Sequence, residues 1–217
     1  MINLWNEVSS NLRKIGPKPA ISWVSEKGRI ELSGTTFLNA ISKAGNYLID
    51  GCGFDDSSSI NVQLGNHWQA PVWKIAALVS GINLNQNSQN VFTFSQKNIS
   101  GKKFIVSQDP FGIPTKDLPL DVENVSLEVR SYGDYFSPTY ELENEVKNRY
   151  LDLKHKLISE FEITESYGLI CNGETEVALG LQALVPALTQ NPVVLIDGLS
   201  TYDAVVKGEK LTKIISL

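Results

Sequence analysis

The spacing of apolar residues changes along the chain, and each change marks an element. Leu4, Trp5, Val8 and Leu12 share one side of a helix, which Gly16-Pro17-Lys18-Pro19 should end because proline cannot continue the hydrogen-bonded ladder. Residues 20–24 and 29–32 have the composition of two short strands, with hairpin chemistry at Glu26-Lys27-Gly28 between them. From Thr36 the period becomes helical, with Phe37, Ile41, Ala44 and Leu48 on one face and glycines at 51 and 53 closing the segment. Residues 59–64 are the next strand, and Asn66 is expected to cap a helix carrying Val72, Ile75, Ala76 and Val79. Gly81 ends that helix and residues 82–84 start another strand. Strands alternating with helices imply parallel pairing through right-handed crossovers.

Residues 85–138 are less regular. Strands are expected at 91–94 and 103–106, a loop over 109–119, and one more short strand at 126–130. A long helix over 140–161 follows, its buried stripe marked by Leu142, Val146, Tyr150, Leu153, Leu157 and Phe161. The remaining pattern is strand 167–171, helix 175–188, strand 192–196 and a short helix 201–207, with Lys207, Lys210 and Lys213 read as a flexible tail of exposed lysines. A constant offset of 106 carries Leu64 onto Ile170, Asn66 onto Asn172, and Ala77-Leu78-Val79 onto Ala183-Leu184-Val185. Each half therefore has the order long helix, strand, asparagine turn, apolar helix, strand, a structural repeat. The expected fold is α/β, a single domain over 1–217 with two similar halves of about 1–138 and 139–217, each a mainly parallel sheet packed against helices.

Composition narrows the function classes. With 217 residues, 42% apolar and 20% charged, the chain can bury roughly 70% of its extended surface without staples. Nineteen basic against 24 acidic residues give a net charge of −5 with no basic stripe, which argues against a nucleic-acid partner. No apolar run is long enough to span a bilayer, and the early Glu7 breaks up any secretory signal. Cys52 and Cys171 stand far apart without companions, as in a reducing cytoplasm. In that compartment the glycosylation patterns Asn98-Ile99-Ser100 and Asn124-Val125-Ser126 carry no meaning.

Residues 31–33 leading into a long helix, then 59–68 (Ser-Ile-Asn-Val-Gln-Leu-Gly-Asn-His-Trp), then 76–85 (Ala-Ala-Leu-Val-Ser-Gly-Ile-Asn-Leu-Asn), resemble the start of an adenylate-forming enzyme. Acyl-CoA synthetases and their relatives have there approximately a strand, Leu-Pro-Asn, a helix, Ala-Gly and Pro-Leu-Asn. The likeness is best over 19–86, continues more faintly through the carboxy-terminal half, and is close to short bacterial proteins that keep only this front portion. It implies the fold of the amino-terminal subdomains of acyl-CoA synthetases. Those enzymes hold ATP phosphates on a Ser-Gly-Thr-Thr-Gly-x-Pro-Lys-Gly loop before the strand at 167. Here that interval holds Glu141-Leu142-Glu143-Asn144-Glu145, whose acids suit a helix start and would repel a triphosphate. The carboxy-terminal domain that brings the lysine used in adenylation has no counterpart before Leu217.

Two segments imitate the missing motifs. Ser33-Gly34-Thr35-Thr36 copies the first residues of the phosphate loop, but Phe37 replaces its glycine, and a capped helix start accounts for it. Asn172-Gly173-Glu174-Thr175-Glu176 imitates the aromatic-Gly-x-Thr-Glu motif without its stacking ring, and capping by Asn172 or Thr175 accounts for that one. His67 and His155 have no metal-ligand spacing, and Asp55-Asp56 has the setting of a solvated turn. The ligand-binding candidates are Asn66, His67 and Trp68, which follow a strand's carboxyl end at a helix N-terminus, where α/β sheets bind ligands. No catalytic residue, metal ligand or cofactor is assigned. The expected function is a non-catalytic remnant of an adenylate-forming enzyme, a binding or interaction module for a small acyl ligand or a protein partner, including a second copy. The alternative is a half-enzyme of acid activation completed by a separate chain.

Overall fold

The computed structural model describes residues 3–95, 101–119 and 122–217; Met1, Ile2 and the pattern at 98–100 lie outside them. Ten strands and eight helices follow one another as α1 (Leu4–Ile15), β1 (Pro19–Ser25), β2 (Gly28–Ser33), α2 (Gly34–Asn46), β3 (Ser59–Gln63), α3 (Gln69–Val79), β4 (Asn83–Leu84), β5 (Asn90–Thr93), β6 (Lys102–Ile105), β7 (Glu123–Asn124), α4 (Val125–Glu128), α5 (Asn144–Glu160), β8 (Tyr167–Ile170), α6 (Glu176–Leu179), α7 (Val185–Leu188), β9 (Val193–Asp197), α8 (Asp203–Gly208) and β10 (Ile214–Ser216) among the described residues. A π turn, Gly180–Leu184, joins α6 to α7 into one continuous helix, and another, Tyr47–Gly51, extends α2.

Two five-stranded sheets result. One has the order β10-β8-β9-β1-β2, parallel except for the β1–β2 hairpin; the other, β4-β3-β5-β6-β7, is parallel throughout. The hairpin thus joins the sheet of the carboxy-terminal strands. β1 has a run of four buried residues, Ala20–Trp23, and suits a central position covered on both faces, whereas β2 is largely exposed and makes the edge. Helices α1, α2 and the 176–188 helix pack on this sheet, α3 packs on the other, and α3 also packs on α2 and on the π turn. The helices therefore form the layer that separates the sheets. All eleven residues of α3 are buried, so its apolar character extends around the helix and not along one stripe only.

The offset of 106 has a structural meaning. β3–α3–β4 and β8–(176–188)–β9 are both strand, helix and parallel neighbouring strand. The caps also follow their side chains: Ser33 Oγ accepts from the Thr36 N–H at 3.1 Å and Thr175 Oγ1 from the Ala178 N–H at 3.0 Å.

Four expectations are corrected. The strand expected at 126–130 is α4 followed by a 3₁₀ turn; Val125 and Val129 meet the core one helical turn apart while Leu127 points to solvent. The long helix begins at Asn144, and Leu142 is buried just before it. Residues 208–217 are not a flexible lysine tail: β10 pairs with β8, and Lys213 Nζ donates to the Phe161 carbonyl and pairs with Glu162. Asn66 does not cap α3, whose N-cap position is Trp68 with no side-chain hydrogen bond.

Candidate functional site

The turn after β3 carries the three candidate residues, and the structure gives them different tasks. Gly65 has φ +55°, a left-handed conformation that glycine adopts at little cost, and this sends Asn66 inward. The Asn66 amide Nδ2 donates to the carbonyls of Leu169 (2.7 Å) and Ile196 (2.9 Å), at the carboxyl ends of β8 and β9. Its Oδ1 accepts from Gln182 Nε2 (3.2 Å) and from the Cys171 thiol (3.3 Å). Both N–H donors and both lone pairs are thereby used, so Asn66 ties the turn to the opposite sheet and has nothing left for a ligand.

Around Asn66 lies a polar junction that the chain pattern did not single out. Lys74, in the middle of α3, is 4% exposed; its ammonium donates to Glu174 Oε2 (2.5 Å) and Gln182 Oε1 (2.8 Å). Glu174 Oε1 accepts from the Gly65 N–H and Gln182 Nε2 donates to the Gly65 carbonyl, so both backbone groups of that glycine are held by side chains of the carboxy-terminal half. A buried lysine is stable when paired and hydrogen-bonded in this way. The signal was a single charge in the run Ala-Pro-Val-Trp-Lys-Ile-Ala-Ala-Leu-Val, and a single amide, Gln182, in the other apolar helix. Burial pushes the Cys171 thiol up to about 11, so it stays protonated and donates.

His67 is 2% exposed and lines a cavity of about 210 Å³ with Trp23, Ser25, Lys27, Gln108 and Asp197. Ser25 ends β1, Asp197 ends β9, and His67 and Gln108 follow β3 and β6 closely. The cavity thus opens where the carboxyl ends of strands from both sheets converge, the position at which α/β folds take ligands. Trp23 forms one wall, its ring 4.7 Å from the imidazole, and its Nε1 donates to Asp197 Oδ2 at 3.1 Å. The Trp68 ring lies 5.7 Å from the imidazole and donates from Nε1 to the Pro110 carbonyl at 3.0 Å.

Burial, and then the positive charge of Lys27, lower the His67 pKa to about 3, so the ring is neutral at pH 7. Its Nδ1 accepts from the Gln69 backbone N–H at 3.3 Å, which fixes the tautomer and puts the single ring proton on Nε2. Nε2 is buried and has no protein partner. A neutral imidazole in this state is a hydrogen-bond donor in want of an oxygen and not a base.

The other residues weighed from the sequence are peripheral. His155 is exposed; Asp55 closes its own turn, accepting from Ser57 and Ser58, whose hydroxyls hold its carboxyl below the usual range. Among the described residues no group of three His, Cys, Asp or Glu side chains could hold a metal ion, and no helix is long and apolar enough to cross a membrane.

No protein-family model matches the chain. A Mycobacterium tuberculosis protein, named only as a member of a numbered protein family, is 28% identical over 140 residues, 58% of each chain. Among solved structures, an acyl-CoA synthetase of Brucella canis superposes with a TM-score of 0.75 at 14% identity, covering 99% of this chain and 47% of its own. The chain thus has the α/β fold found in an acyl-CoA synthetase and spans about half the length of the relatives it matches.

Proposed function

We propose that this chain is a small-molecule-binding protein on an acyl-CoA synthetase-like fold, that it takes a carboxylate-bearing acyl ligand in the His67 cavity, and that it forms no acyl adenylate by itself. The observation that carries the reading is the partnerless Nε2–H of a buried, neutral His67 in the cavity at the carboxyl ends of both sheets. A ligand oxygen would satisfy that donor once the ring turns toward the cavity, Lys27 would supply a positive charge beside Glu26 and Asp197, and Trp23 offers an apolar face to the rest of the molecule. The likeness to an enzyme named for acyl groups supports the ligand class.

Two observations support the absence of adenylation. A triphosphate needs positive charge and backbone donors around it, and the stretch before β8 presents Glu141, Glu143 and Glu145 instead. In the segment that imitates the adenine and magnesium motif, Asn172 stands where the stacking ring belongs, and the acid Glu176 is paired with Arg149. The reading places the protein in the cytoplasm, in keeping with the unpaired thiols of Cys52 and Cys171. A second reading, the half-enzyme completed by a partner chain, rests on the same likeness in fold to the synthetase. Co-purification with a chain that restores ATP–pyrophosphate exchange would favour it.

Titration of intrinsic tryptophan fluorescence with short aliphatic and aryl carboxylates tests the main reading. Saturable binding in the wild type, weakened about tenfold or more in His67→Phe, is expected. Equal affinity in the two proteins would remove His67 from the site. Acid-dependent ATP–pyrophosphate exchange by the purified chain would overturn the non-adenylating part.

A further inference from the structure

A second cavity, of about 160 Å³, lies away from His67 against the edge of the all-parallel sheet. Its walls come from β3 and the residues after β4 on one side, and from α5 and the start of α6 on the other. Strand β4 is only two residues long and pairs with β3 at Ser59 and Ile60 alone. The last bond of that ladder runs from the Asn85 N–H to the Ile60 carbonyl at 2.9 Å. In a parallel strand the amide groups of alternate residues face the same edge, so the N–H and C=O of Val62 face the side that β4 no longer covers. Val62 lines the cavity there, opposite the apolar surfaces of Tyr150 and Leu179. The ladder stops at a place where an amide could continue it.

Charge decides what else the occupant carries. Lys74 lines the cavity, but its charge is already paired with Glu174 and a second N–H donates to Gln182. Arg149 lies against the Tyr150 ring, its guanidinium 5.1 Å from the centroid, and its partner Glu176 is 3.5 Å away, with both side chains more than half exposed. An exposed pair of that length contributes little and exchanges readily, so the guanidinium is the cation a ligand anion can recruit. An engineered cavity of about 150 Å³ holds a benzene ring, so the space suits one aliphatic or aromatic side chain.

We propose that this cavity is a binding site for an N-acylated amino acid or the carboxyl-terminal residue of a peptide. Its amide continues the β3 edge at Val62, its carboxylate pairs with Arg149, and its side chain fills the space beside Leu84, Tyr150 and Leu179. This site is separate from the His67 cavity, and its test does not depend on that reading.

The experiment is a titration of the ¹⁵N-labelled chain with N-acetyl-leucine, N-acetyl-leucinamide and N-acetyl-N-methyl-leucine, followed by amide shifts. N-acetyl-leucine should bind saturably and move the amides of Val62, Leu84 and Arg149. Loss of the carboxylate in the leucinamide, and of the N–H in the methylated compound, should each weaken binding about tenfold, the usual share of one charge-assisted or strand-continuing bond. Arg149→Met, a surface substitution, should reduce affinity for N-acetyl-leucine similarly and leave the leucinamide unaffected. Absence of saturable binding, equal binding of all three compounds, insensitivity to Arg149→Met, or shifts centred on Trp23 and Gln108 would each overturn the proposal.

Discussion

Asn66 and Asn172 stand at equivalent points of two strand–turn–helix units, yet they do unlike work. Asn66 is buried and makes four hydrogen bonds to the carboxy-terminal half; Asn172 is exposed, and the helix after it is capped by Thr175. The local pattern is the same and the location is not. The first turn faces the ends of β8 and β9, where carbonyls need donors, and the second faces water, which satisfies any orphan group. A buried turn becomes a joint between halves, whereas a solvated turn only begins a helix.

The sharpest way to break this contrast is at Lys74. Lys74→Met should lower stability by about 3–5 kcal/mol, because Glu174 loses its counter-charge and the Gln182 Oε1 its donor. Urea unfolding measures it, and adding Glu174→Gln should recover part of the loss, since the stranded charge is then gone. Next in size is the asparagine pair. Asn66→Ala should cost about 2–4 kcal/mol by orphaning two carbonyls, and Asn172→Ala should stay within about 0.5 kcal/mol. Similar losses at both positions would erase the distinction.

His67 sharpens the comparison through pH. Its pKa is about 3 in the folded chain against an ordinary 6.5, so between those values the unfolded state binds more protons. Its contribution is whole above pH 6.5 and is lost as pH falls towards 3. Thermal unfolding across that window should show acid destabilisation that flattens in His67→Gln, while a curve unchanged by the substitution would mean the ring is not buried as described. The two helix caps should give modest effects: Thr175→Ala should cost about 1 kcal/mol and Ser33→Ala, at the start of α2, about the same, both read from the urea midpoint.

Much of the fold was legible because burial imposes periodicity. Phe37, Ile41, Ala44 and Leu48 lie on one helical face and are all fully buried, and the repeat at offset 106 marks two real crossover units. Where packing does not impose a period, legibility failed. β10 has three residues and only one is buried; its existence rests on a neighbour, β8, far along the chain. Val125 and Val129 fit a strand as well as a helix until Ser126 is seen accepting the Ser107 N–H at 2.7 Å. At the site, the position of His67 was readable as a strand end before a helix, but its tautomer was not, because that depends on the Gln69 backbone. The role of Lys74 needed the opposite half of the molecule, since a lone lysine in an apolar helix says only that a partner exists.

The hairpin near the amino terminus has a consequence for how the chain reaches its fold. The Trp23 indole bonds Asp197, 174 residues later, and β1 can take its central place only when β9 is available. The all-parallel sheet, by contrast, is drawn entirely from residues 59–124. On a ribosome adding about 5–20 residues per second, that sheet can assemble while β1, with its run of buried residues, waits on the order of ten seconds or more for its neighbour. Long-range pairing is slow to nucleate, and an unpaired apolar strand invites association with other chains. Nascent chains stalled before residue 193 should therefore hold the 59–124 sheet while their hairpin remains open to capture by a chaperone.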